Sequence, residues 1–145
     1  TQIADVEVDV ETGRIKVLRI VAAHDAGTIV NPEGAEGQIV GGVVQGLGAT
    51  LCEEMHGTEG VITNPTFVEY KLPTTMDIPE IVTGFVDSFH DEGPFGAKGL
   101  SEPALAPTSA AVANAVFNAI GVRITSLPIT PEKILHALKL NQIDT

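Results

Sequence analysis

Glu102 stands where a carboxylate could act as a general base. It follows a glycine-bearing loop over residues 90–101 and directly precedes Pro103, at the start of an expected helix. A helix amino terminus favours the ionised carboxyl, the form a proton acceptor needs. Acidic residues also gather at helix starts for that reason alone, so position by itself does not make Glu102 a base. Gln38 and Gln45 lie two turns apart on about the same face of a glycine-rich segment. An amide both donates and accepts, so either could read a polar ring edge or a phosphate. A solvent-exposed or interhelical glutamine is the simpler reading and is preferred for Gln45. His24 with Asp25, and Glu53, Glu54 and His56, are metal-ligand residue types, but their spacing matches no recognised metal motif and no metal ligand is assigned. Lys98, in Gly96-Ala97-Lys98-Gly99, could hold an anion or, more simply, face water. The run GGVVQGLG has the glycines of a phosphate-cradling loop without the dinucleotide fingerprint or the lysine and hydroxyl of a P-loop.

These residues depend on the elements that carry them. Val6, Val8 and Val10 alternate with acidic residues, Thr12-Gly13 turns the chain, and residues 15–22 return as a second strand, which predicts a β-hairpin. Asp25, Gly27, Asn31 and Pro32 make residues 24–32 a loop. Over residues 36–55 the spacing of Ile39, Val43, Leu47 and Leu51 predicts a helix. Five glycines crowd it, each costing a helix about 1 kcal/mol relative to alanine, so something must approach that backbone closely. Residues 56–79 read as an extended connection with a short strand at 67–71, and residues 80–88 as a strand. A helix opening at Pro103 or Pro107 runs to a stop at Gly121, and residues 122–127 can form a strand. Thr130-Pro131-Glu132 starts a last helix with Ile134, Leu135 and Leu138 as its buried stripe. Without a regular βαβ alternation, the expected fold is α+β: two layers, an amino-terminal hairpin and about three helices, in a single domain over residues 1–145.

Composition narrows the function. A net charge of −11, from 19 acidic against 8 basic residues, disfavours nucleic acid and anionic membrane surfaces as partners. The single cysteine, Cys52, excludes an internal disulfide framework and a cysteine-ligated cluster, and favours a reducing compartment. The longest apolar stretch, residues 39–52, is interrupted by Gln45 and too short to span a bilayer, so a soluble, cytoplasmic protein is expected. Thr1 is not an initiator methionine and strand-like pattern begins at once, which suggests an excised or processed piece.

Three segments, in this order, resemble the molybdenum-hydroxylase family of xanthine dehydrogenases, aldehyde oxidases and carbon monoxide dehydrogenases. VEVDVETGRIKVLRIVAAHDAGTIVNP resembles its hairpin and Asp-x-Gly-x-x-x-Asn-Pro loop, and EGQIVGGVVQGLG its glycine-rich cofactor helix. GPFGAKGLSEPALAPTSAAVANAVFNAIGVRITSLPITPEKIL resembles the catalytic loop and carboxy-terminal end of its molybdenum subunit. The resemblance covers nearly the whole chain. It implies that Glu102 is the base that takes a proton as water-derived oxygen attacks an electron-poor carbon, and that Gln38 hydrogen-bonds the pterin. It also implies a molybdenum-pterin cofactor, in its molybdopterin or cytosine dinucleotide form, whose metal is held by the pterin dithiolene rather than by side chains. Partners would be the rest of the molybdenum subunit and the 2Fe-2S and FAD (flavin) domains or chains of an oligomer, with an aldehyde, purine or N-heterocycle as small-molecule substrate. Because that subunit is several times longer, this chain alone is expected to be inactive. Ser101 departs from the pattern, since the residue before the glutamate is commonly glycine.

Two readings from other classes stand beside this one. A non-catalytic assembly module would keep the fold and lose the chemistry, for which Ser101 is the only hint. A phosphate or nucleotide binder would use the glycine-rich segment, against which the missing lysine and hydroxyl argue.

Overall fold

The computed structural model describes residues 1–143. The alternating amino-terminal segment folds as expected into β1 (Gln2–Val8) and β2 (Ile15–His24), paired antiparallel from Gln2 opposite Ala22 to Val8 opposite Ile15. The register shifts between Asp5 and Val6, so Leu18 bulges out of the ladder. One extra residue reverses the side-chain phase. Ile15 and Val17 point toward the helices before the bulge, and Ile20, Ala22 and His24 after it. β5 (Glu80–Phe85) pairs with β2 in parallel, giving the sheet order β1-β2-β5.

Helix α1 (Pro32–Leu51) begins four residues earlier than its apolar spacing suggests. Asn31 is its N-cap, accepting from the Gly34 N–H at 3.0 Å, and Pro32 occupies the first turn, where a missing N–H costs nothing. The expected second long helix is two pieces, α2 (Glu102–Leu105) and α3 (Thr108–Ile120). Pro107 separates them, because it has no N–H to bond back one turn and its ring crowds the preceding carbonyl. Gly121 ends α3 in the left-handed conformation at φ 74°, its N–H bonded to the Phe117 carbonyl at 2.8 Å. α4 (Pro131–Ile143) starts at Thr130 and buries Ile134 and part of Leu138, while Leu135 is 38% exposed.

Two expected strands are absent. Residues 67–71 form turns, with the Glu69 and Tyr70 N–H groups bonded to the Thr66 carbonyl, which leaves no ladder donors there. Residues 122–127 run as a loop that buries Val122 and lays the Arg123 guanidinium over the Phe117 ring at 4.2 Å. A hairpin of two-residue strands, β3 (Gly57–Thr58) and β4 (Val61–Ile62), occupies the connection instead. Between sheet and helices lies the core: Ile20 and Ala22, Ile39, Val43 and Leu47, Ala104, Val112 and Val116, Ile129 and Ile134. Among the described residues no helix is long and apolar enough to cross a membrane.

Candidate cofactor wall and base

The glycines of α1 divide by face. A Cβ on Gly42 would lie 2.6 Å from the Ala104 Cβ, and one on Gly46 would lie 2.6 Å from the Thr108 Cβ. These two let α1 touch α2 and the start of α3, a close approach that a larger residue would block. Gly37 and Gly41 differ, because nothing in the chain lies within 4 Å of where their Cβ would be. Both border a cleft of about 370 Å³ whose lining also includes Gln38, Gln45, Ser101 and Glu102.

The structure thus brings Gln38 and Glu102 together from distant segments, exposed on facing sides of one recess. Gln45 is exposed as expected, yet it lines the same cleft. Glu102 is the first residue of α2, and a single turn supplies far less of a macrodipole than the long helix the sequence suggested. Its placement comes from packing. Ala104 is fully buried against α1, the Gln2 amide donates to the Ala104 carbonyl at 2.6 Å, and the Thr108 hydroxyl donates to the Gln2 amide oxygen at 2.7 Å. Gln2 escaped the sequence reading because a polar residue opening a strand has no local signature of a contact so far along the chain.

The other candidates have structural partners. Lys98 is partly open to water, and its Nζ lies 2.7 Å from the Asp25 carboxylate, an anion the chain itself supplies. Asp25 also accepts from the Ser88 hydroxyl and, at 3.1 Å, from the Gly27 N–H. The Lys98 bond, then those from Ser88 and Gly27, hold the Asp25 carboxyl well below the ordinary carboxylate range. Glu53 accepts from the Tyr70 hydroxyl at 2.7 Å, and the His56 N–H donates to Asn64 at 2.8 Å. Among the described residues no three His, Cys, Asp or Glu side chains are grouped to hold a metal. His24 is buried with its Nε2 unpartnered.

A larger recess, about 1300 Å³, lies at the carboxy-terminal end of α1, between the hairpin and residues 71–80. Its one thiol, Cys52, is pushed up by burial and by the Glu53 and Asp77 carboxylates, which keeps it protonated and a poor nucleophile. The smaller cleft holds the acid and amide groups and is the better candidate site.

An open helix face, two amides and a carboxylate suit a polar, planar ligand approaching the backbone. They make this cleft the candidate for one wall of a cofactor site. Comparison with known proteins shows the family: residues 1–79 match the molybdopterin cofactor-binding domain, and the chain belongs to that family. It is 40% identical over 138 residues to the putative xanthine dehydrogenase molybdenum-binding subunit of Escherichia coli (strain K12), covering 94% of this chain and 18% of that protein. It is 40% identical over 136 residues to one subunit of the nicotinate dehydrogenase of Pseudomonas putida, covering 94% of this chain and 11% of that one. Among solved structures, quinoline 2-oxidoreductase from Pseudomonas putida 86 superposes with a TM-score of 0.86 at 37% identity, over 92% of this chain and 18% of its own. The chain therefore spans less than a fifth of the length of these relatives.

Proposed function

We propose that this chain is a carboxy-terminal portion of the cofactor-binding domain of a molybdenum hydroxylase, with Glu102 as its general base and Gln38 on the pterin. The observation that carries this reading is the cleft in which Gln38 and Glu102 meet beside Gly37 and Gly41, whose missing side chains leave room for a group the chain does not itself supply. When bound, the molybdenum-pterin group would supply two-electron redox chemistry and the site of oxygen transfer. The net reaction takes a C–H carbon and water to a hydroxylated carbon, two protons and two electrons. Glu102 accepts one of those protons at its carboxylate as the water-derived oxygen attacks. Gln38 fixes the pterin edge through an amide that both donates and accepts. Partner chains or domains carrying 2Fe-2S clusters and a flavin, in a cytoplasmic assembly, would supply the path for the electrons. The similar proteins include xanthine, nicotinate, quinoline and aldehyde enzymes, which keeps N-heterocycles, purines and aldehydes together as the substrate class.

Glu102→Gln in the full-length, cofactor-loaded subunit should lower hydroxylation by about 10²- to 10⁴-fold, the usual range for a lost general base, with molybdenum content unchanged. Unchanged turnover would sink the assignment. A folded complex that never contains molybdenum would favour the assembly-module reading instead.

A further inference from the structure

Two loops that lead to the two sides of the cleft join along one seam. One, residues 25–31, leads from β2 to the Asn31 cap of α1 and so to Gln38; the other, residues 93–101, leads to Glu102. Their backbones pair: the Thr28 N–H donates to the Gly96 carbonyl at 2.9 Å, the Lys98 N–H to the Ala26 carbonyl at 2.9 Å, and Gly27 bridges Ala97 antiparallel. Gly27 has φ +64° and lies against the Gly96 carbonyl, where a side chain would not fit. Across this seam the Lys98 ammonium meets the Asp25 carboxylate at 2.7 Å, with Ser88 and the Gly27 N–H on the same carboxylate.

We propose that the Asp25–Lys98 pair is a positioning clamp for the reaction, holding the loop that carries Glu102 in register with the helix that carries Gln38. This rests on Glu102 being the base. Asp25 and Lys98 are positioning residues, since only Glu102 meets the reacting proton. The tethers are short, because Lys98 is four residues from Glu102 and Asp25 six from the Asn31 cap. A slip at the seam therefore reaches the carboxylate with little damping, and a displacement of about 1 Å from a remote change can cost on the order of 10²-fold in rate. The pair is partly exposed, with 33% and 44% of the two side chains accessible, so it contributes little to global stability. A loss of rate without a loss of fold would distinguish positioning from mere support.

The test uses the full-length, cofactor-loaded enzyme with Asp25→Asn, Lys98→Met, the double variant, Lys98→Arg and Glu102→Gln. Each single neutral variant should lower kcat about tenfold, with KM, molybdenum content and Tm nearly unchanged. The double variant should be no worse than either single one, and Lys98→Arg, which keeps the ion pair, should recover most of the rate. Wild-type kcat in Asp25→Asn and Lys98→Met beside an inactive Glu102→Gln would overturn the clamp alone. Independent, multiplying losses in the double variant, or losses that track molybdenum content or Tm, would overturn it too. Full turnover in Glu102→Gln would overturn the base assignment and the clamp with it. Should Asp25→Asn fail to fold, Lys98→Met carries the comparison.

Discussion

His24 shows how a single side chain can carry a pH dependence that has nothing to do with the reaction. It is 5% exposed with an unpartnered Nε2, and burial lowers its pKa from the ordinary 6.5. The folded state resists a proton that the unfolded chain accepts, so His24 contributes stability above pH 6.5 and loses it as pH falls toward the folded value. The Tm of the full-length subunit should therefore drop between pH 7 and pH 5, and His24→Leu should flatten that slope in scanning fluorimetry; an unaltered slope would assign the effect elsewhere. At this scale the sequence was partly legible. Gln38 and Glu102 stand in segments with recognisable patterns, and the fold puts them on one cleft. The partner of Lys98 was not legible, because Asp25 lies 73 residues away and an ion pair across two loops leaves no mark in either loop's local sequence.

At the scale of elements, α1 offers a test in which the same substitution has opposite signs. Gly42→Ala and Gly46→Ala force a methyl against Ala104 and Thr108 and should destabilise by about 1–3 kcal/mol, as overpacking does. Gly37→Ala and Gly41→Ala meet open space and should gain about 1 kcal/mol of helix stability while lowering molybdenum content in the loaded subunit. Denaturant titration and metal analysis measure both; Gly41→Ala with full molybdenum content would argue that the open face is not a cofactor wall. The sequence predicted that something presses on this helix, and for Gly42 and Gly46 that something is the chain itself. Hairpin, long helix and Gly121 stop were legible because alternation, four-residue spacing and a left-handed cap are local signals. Pro107 was legible as one of two possible helix starts, and α3 begins directly after it; the Leu18 bulge and the absent strands at 67–71 and 122–127 were not legible, because they depend on which neighbours are available to pair.

For the whole molecule, surface is the informative quantity. Met76 is 90% exposed, Phe95 87% and Phe67 81%, large apolar side chains turned almost wholly outward. The chain spans 18% of the E. coli relative's length, and on the proposed reading of it as a portion of a longer subunit these side chains suit contact with the rest of that subunit. The 145-residue chain made alone should bind a hydrophobic dye strongly and self-associate in light scattering, whereas the full-length subunit should do neither. A monodisperse, dye-silent isolated chain would remove that argument.

The parallel pairing of β5 with β2 sets the order in which the molecule can be assembled. An antiparallel hairpin such as β1-β2 closes over a short turn in about 1–10 μs, whereas a parallel partner must wait for its crossover to be in place. Here that crossover contains α1 and the whole of residues 52–79, so the β2–β5 pairing, and the seam between residues 25–31 and 93–101 that follows it, can close only after a long stretch of chain is in place. The Gln38 side can exist before the Glu102 side does. On a growing chain residues 32–51 emerge before residues 102–105, so the Gln38 face of the proposed site is made while its Glu102 face is still to come.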